Sequence, residues 1–232
     1  MPSIDLPIPM QFGPFVTELG TRRRDRKTVQ GGAAFYAGPG KDILTEGSYQ
    51  VEDPSFPGGV STMSLVMSGG SGNDTYKFNK EGWAFIADSG GGKDTVKFKR
   101  SSTLNPKFYD PNTAISTILI NKRDVLVVAT DLETGVRMTG IVFKDPFGKL
   151  DKNNKIEKVH FGKKKYSFSK FYKSLRRAAS NTTDDYGELY SFSKSTYAEL
   201  GASGLLNLEG IPTEALDNGS VLGIPSYNNS LI

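Results

Sequence analysis

The sequence predicts a mainly β chain: short strands set between glycine-rich loops, then longer antiparallel strands, a short C-terminal helix and an irregular tail. Three observations carry that expectation. Gly at 26 and Pro at 12 of 232 residues are somewhat raised, which favours short strands and turns over long helices. Between residues 31 and 100, β-like runs alternate with Gly-rich loops. From 115 to 168 the loops lose their glycines and the runs lengthen.

Taken in chain order, the first 30 residues are Pro-punctuated, end in "TRRRDRK", and read as an extended basic arm. The runs "AAFYA", "MSLVM", "TYKF", "WAFIA" and "TVKF" follow as strands, with Trp83 and Phe85 expected in the core. "STILIN", "DVLVVAT" and "VRMTGIVF" are expected to be neighbouring antiparallel strands joined by short polar turns. "NNKIEKVHFGKKKYSF" gives two more, with Ile156, Val159 and Phe161 apolar and His160 on the opposite face. A helix is expected over 169–180, where Phe171, Leu175 and Ala179 share a face at i, i+4 spacing. Beyond 181 the chain is rich in Ser, Asn, Thr and Gly, with one more helix expected near 197–202. The expected organisation is thus an arm (1–30), a β body (31–173) and a helical to irregular tail (174–232).

Composition narrows the function classes. Without Cys there is neither a disulfide framework nor a thiolate metal site. A single His, no Cys and no G-x-S-x-G elbow leave nucleophilic triads little to stand on, and the sequence points away from an enzyme. No apolar run reaches the length of a transmembrane helix, and the N-terminus does not read as a cleaved secretory signal. The net charge of +4 is uneven: residues 174–232 hold three basic and seven acidic residues, leaving 26 basic against 18 acidic before them. A basic body with an acidic tail suits a polyanionic partner, or is simply a solvated lysine-rich surface. Specific nucleic-acid recognition is not expected, because no recognition motif or base-stacking aromatic pattern accompanies the charge.

The chemistry concentrates in "SGGSGNDTYKF", residues 68–78. Within it "GGSGNDTYK" meets every specified position of the nonapeptide G-G-x-G-x-D-x-U-x, with Asp74 as the acid and Tyr76 as the large apolar residue. Glycines free the backbone to turn its carbonyls inward, and Asp74 adds a carboxylate to that ring. Oxygen-only ligation in a flexible loop suits Ca²⁺ and not Zn²⁺. "SGGGKDTVK" keeps Gly90, Gly92, Asp94 and Val96 in phase, and "AGPGKDILT" keeps Gly38, Gly40, Asp42 and Leu44.

These segments resemble the RTX, or haemolysin-type calcium-binding, repeat family. The stretch "VRMTGIVFKDPFGKLDKNNKIEKVHFGKKKYSF" is similar to the region that commonly follows such repeats, so the resemblance spans roughly residues 31–172. It implies a short RTX-like parallel β-roll followed by antiparallel strands, with Ca²⁺ between turns. The implied metal residues are Gly70, Gly72 and Asp74, then Gly90, Gly92 and Asp94, with Asp42 from the first loop and Asp88 as a further carboxylate. Lys41 and Lys93 depart from the family pattern. An ammonium there opposes Ca²⁺ unless it points away, and could neutralise Asp42 or Asp94 in its place. One or two bound Ca²⁺ are therefore expected, first at the Asp74 loop.

Two functions follow from the resemblance. One is a calcium-stabilised structural or adhesive protein, extracellular or on a bacterial surface, exported by a type I route. The other is a structural subunit of a larger assembly, such as a virion, tail or surface layer. Both imply other protein subunits as partners.

Overall fold

The computed structural model describes residues 10–11, 16–47, 50–52, 60–63, 65–79, 82–88, 90–107, 112–120, 124–131, 137–149 and 151–181. The strands in chain order are β1 (Met10–Gln11), β2 (Val16–Leu19), β3 (Arg26–Gln30), β4 (Ala33–Tyr36), β5 (Ile43–Gly47), β6 (Gln50–Glu52), β7 (Val60–Met63) and β8 (Leu65–Ser68). They continue as β9 (Thr75–Phe78), β10 (Trp83–Ile86), β11 (Asp94–Phe98), β12 (Thr113–Ile120), β13 (Asp124–Asp131), β14 (Arg137–Phe143), β15 (Ile156–Phe161) and β16 (Lys164–Ser167). Helix α1 (Phe168–Asn181) follows directly.

The protein is mainly β, with parallel and mixed sheets. Its ordering principle is alternation. β2, β4, β8, β10 and β14 lie side by side and parallel in one sheet, while β3, β5, β9, β11 and β15 do the same in a second. Each strand of the first sheet is followed through one loop by its neighbour in the second. Five such strand–loop–strand units stack in register, and neither sheet closes on itself. Two excursions interrupt the stack. β6 and β7 form a hairpin, with β1 parallel to β7, in a small third sheet. β12 and β13 extend the first sheet as an antiparallel ribbon running into β14, as "STILIN", "DVLVVAT" and "VRMTGIVF" foretell.

The core lies between the two main sheets. Alternate residues of each strand point inward, and register puts like on like. Leu44, Tyr76, Val96 and Val159 form one buried row across β5, β9, β11 and β15. Phe78, Phe98 and Phe161 form the next, their rings stacked at centroid separations of 5.0 Å and 5.0 Å. Helix α1 closes this end of the sandwich. Phe171 meets Phe98 and Phe161, and Phe168 meets Phe143 and Phe147 edge-on. Helix propensity alone would not hold fourteen residues in place; the aromatic face buried against the strand ends does.

One expectation needs correction. The extended arm at 1–30 ends early: β2 and β3 are the first stacked unit, paired in parallel with β4 and β5. β3 pairs in register with β5, which sets Lys27 beside Leu44 and the buried Val29 beside Glu46, and Lys27 is ion-paired with Glu18 of β2. Residues 1–9 and 12–15 lie outside the described residues. Phe85 is buried as expected, on the face of its sheet opposite to Ala84 and Ile86, which belong to the inter-sheet cluster. The Trp83 side chain, and the tail from 182 with its expected helix near 197–202, lie outside the described residues.

Removing the middle ring of the stack leaves a cavity bordered by two phenylalanines and the helix. Phe98→Ala should cost about 3–5 kcal/mol, read as a lowered denaturation midpoint in urea with an unchanged m-value.

Candidate metal centre

The five loops joining the paired strands lie along one edge of the molecule. Glycine is required there by closeness of approach. A Cβ on Gly72, at φ 139°, would come within 1.5 Å of the Gly40 carbonyl oxygen, and one on Gly92, at φ 151°, within 1.3 Å of that of Gly72. No side chain fits such a gap, so Gly40, Gly72 and Gly92 are the points where successive loops touch. A Cβ on Gly70 would come within 2.5 Å of the Gly38 carbonyl oxygen, and Gly38, Gly70 and Gly90 have similar φ of 83°, 79° and 84°. Backbone bonds tie the tiers: Gly40 N donates to Ser71 O at 2.8 Å, Gly72 N to Gly91 O at 2.8 Å, and Gly91 N to Asn153 O at 3.1 Å.

At the loop ends stands a ladder of carboxylates. The backbone N–H of Asp25 donates to Asp42 Oδ1 at 2.6 Å, that of Asp42 to Asp74 Oδ1 at 2.7 Å, and that of Asp74 to Asp94 Oδ1 at 2.8 Å. The Asp94 N–H closes the series on Glu157 Oε2 at 2.8 Å. Each acid therefore satisfies the N–H of the tier before it. Asp42, Asp74 and Asp94 are fully buried, and in each the second oxygen, Oδ2, meets no N–H or hydroxyl donor.

Asp88, just after β10, brings a fourth buried carboxylate to the third and fourth tiers. Its Oδ1 accepts from the Tyr76 hydroxyl at 2.5 Å, and Tyr76 Oη accepts from the Gly69 N–H at 2.8 Å. No N–H or hydroxyl donor reaches its Oδ2, and the carboxyl it faces is that of Asp94. Asp74, Asp88 and Asp94 each place a carboxylate oxygen within 4.8 Å of the other two. Among the described residues this is the one such acidic group.

Three buried anions so close cannot coexist uncompensated. A single charge-assisted hydrogen bond contributes about 1.5–3 kcal/mol, whereas burying a carboxylate costs several; burial wins. It pushes the Asp74 carboxyl up to about 7, with Asp94 and Asp42 adding repulsion against the bond from the Asp42 N–H. Burial, then Asp94, holds Asp88 well above the usual carboxylate range. Burial also raises Asp94 and Asp42. The site demands protons or a cation.

The donor set fits a hard cation. The three acids offer carboxylate oxygens, with no sulfur or imidazole in the group, which is ligation that Ca²⁺ accepts. Lys41 and Lys93 do not compensate the charge. Both side chains are exposed, and neither pairs with Asp42 or Asp94 among the described residues. Of the residues expected at the metal, Asp74, Asp88 and Asp94 come together, with Gly70, Gly72, Gly90 and Gly92 shaping the loops against them. Asp42 is a rung of the ladder but lies outside the trio.

Asp25 and Glu157 were not anticipated. Asp25 follows Gly20 by the same five residues that separate Gly69 from Asp74, yet the intervening "TRRR" hides the repeat. Glu157 is out of phase by one residue, at a register shift between β11 and β15, and its longer side chain makes up the difference. Against known proteins, the chain matches no family model and no curated protein sequence.

The raised carboxyls set a pH dependence for the metal-free protein. Unfolded, Asp74 ionises near the ordinary aspartate value of 3.8; folded, it keeps its proton to about 7. The folded state thus binds more protons in between, and stability falls as pH rises. In chelator, urea midpoints should be highest below about pH 4 and decline through about pH 7, the reverse of acid denaturation. A flat profile over that span would contradict it.

Proposed function

We propose that this chain is a calcium-binding structural or adhesive protein of the RTX-like β-roll type, working outside the cell or on its surface. The observation that carries the reading is the buried trio Asp74, Asp88 and Asp94, whose Oδ2 atoms meet no N–H or hydroxyl donor and whose carboxyls are driven up by burial and mutual repulsion. Alternation of parallel strands between two sheets, with tiered Gly-Asp loops at one edge, supports the roll.

A divalent cation bound there would supply the positive charge that the lysines withhold. The residues do the rest. Tyr76 holds Asp88 in place from the core side, the N–H groups of Asp42 and Asp74 orient Asp74 and Asp94, and the Gly72 and Gly92 contacts fix the loop spacing. Because the trio spans two tiers, an ion there joins what the unfolded chain keeps apart. Binding energy is then folding energy. The fold would be weak where Ca²⁺ is scarce and firm where it is abundant, which favours a role outside the cytosol.

Titration calorimetry and thermal melts at pH 8, with Ca²⁺ or with chelator, test the reading. Ca²⁺ at a hundredfold excess over Kd should stabilise the wild type by about 2.7 kcal/mol, a shift of a few degrees in Tm. Asp88→Asn keeps an acceptor for Tyr76 and removes one buried charge. Its melt should exceed that of the wild type in chelator and be indifferent to Ca²⁺. A wild-type melt unmoved by Ca²⁺, with no heat of binding, would sink the proposal.

A further inference from the structure

The second main sheet has an outer face, and its chemistry is one-sided. Because Tyr76, Phe78, Val96, Phe98, Val159 and Phe161 point into the core, the residues between them point out. Strand register aligns them in columns running across the strands. One column reads Thr28, Thr45, Lys77, Lys97, His160, Lys165; the next reads Arg26, Ile43, Thr75, Thr95, Lys158, Ser167. Neither column holds an acidic residue. Lys99 lies exposed one residue beyond β11. Arg26, Lys158 and Lys165 are exposed, and Lys77 and Lys97 are half-buried by their neighbours.

We propose that this face binds an acidic polysaccharide, laid along the column from Thr28 to Lys165. The choice rests on charge complementarity and on what the face lacks. Among the described residues it offers no aromatic ring to stack on a base, as single-strand readers do, and no projecting helix or ribbon to enter a duplex groove. One apolar side chain, Ile43, is too little to insert into a bilayer. What remains is a flat, stiff array stepping about 4.8 Å from strand to strand, the scale of one sugar unit. Lysine ammoniums serve carboxylate or sulfate groups, and the Thr28 and Thr45 hydroxyls serve sugar hydroxyls. His160, in mid-column, reports the field: burial and then Lys97, Lys165 and Lys158 hold its imidazole below its ordinary range. The column from Thr28 to Lys165 contains none of the trio, and its Thr28, Thr45, Lys77, Lys97 and His160 each lie three residues beyond a ladder acid, so the inference does not depend on the metal.

The test uses the full chain, held in Ca²⁺, with dextran sulfate as probe and duplex DNA and phosphatidylglycerol vesicles as competitors. Lys97→Gln/Lys158→Gln/Lys165→Gln removes three charges from the face. Lys107→Gln/Lys170→Gln/Lys173→Gln removes three from exposed positions elsewhere. The first variant should lose at least tenfold in affinity and flatten the salt dependence, while the second stays within threefold of the wild type. Lys158→Gln alone, at an exposed site, should show the same direction if the triple variant folds poorly. Equal losses in both triple variants would reduce the effect to net charge and overturn the proposal. So would DNA or vesicles displacing the polysaccharide at equal charge concentration, or no wild-type binding at 0.15 M salt.

Discussion

Everything at the loop edge depends on one repeated bond: an aspartate Oδ1 accepting the backbone N–H of the aspartate one tier earlier. It runs Asp25–Asp42–Asp74–Asp94 and ends on Glu157. The bond fixes the vertical spacing of the tiers and points each second oxygen inward, away from water. A sheet that repeats in register must repeat its loops as well, and only glycine allows backbones as close as those of Gly72 and Gly92. The same geometry that makes the stack possible therefore buries a column of negative charge. Position decides which part of that column matters most. Asp42 has a solvent-side cation in Arg24 to temper it, whereas Asp88 joins Asp74 and Asp94 with none.

The charged edge and the apolar interior are coupled through a single residue. Tyr76 belongs to the core row with Leu44, Val96 and Val159, yet its hydroxyl reaches Asp88 and the Gly69 N–H. Tyr76 thus touches both the trio and the packed rows, and Phe98 of the next row meets helix α1. The hydrophobic stack supplies most of the stabilisation; the acids subtract from it until they are neutralised. That division explains why a protein with 37% apolar residues can tolerate so costly an edge.

Much of this was legible in the sequence. Five strands of 31–100 (β4, β8, β9, β10 and β11), the antiparallel set of 115–143 and the helix were visible because each carries a clean period or a flanking glycine, whereas β5, β6 and β7 were not. Asp74 and Asp94 were visible because the nonapeptide holds its phase, and Asp88 because a carboxylate so near the Gly90 loop had a family precedent. Asp25 escaped because "TRRR" replaces the glycines, so charge spoke for an arm where pairing made a strand. Glu157 escaped because a register shift moves it one place, and only the longer side chain restores contact. The orientation of Lys41 and Lys93 depends on tertiary packing that no local pattern encodes. The basic face was invisible for a similar reason: Lys77, Lys97, Lys158 and Lys165 are far apart in sequence and become neighbours only through parallel register.

The most direct measurement is a crystal structure grown in Ca²⁺ with anomalous data. An ion should lie between the third and fourth tiers, with oxygens of Asp74, Asp88 and Asp94 at about 2.3–2.6 Å and Tyr76 still bonded to Asp88. Asp88 and Asp94 sharing a proton, with no ion between them at millimolar Ca²⁺ and pH 8, would contradict it.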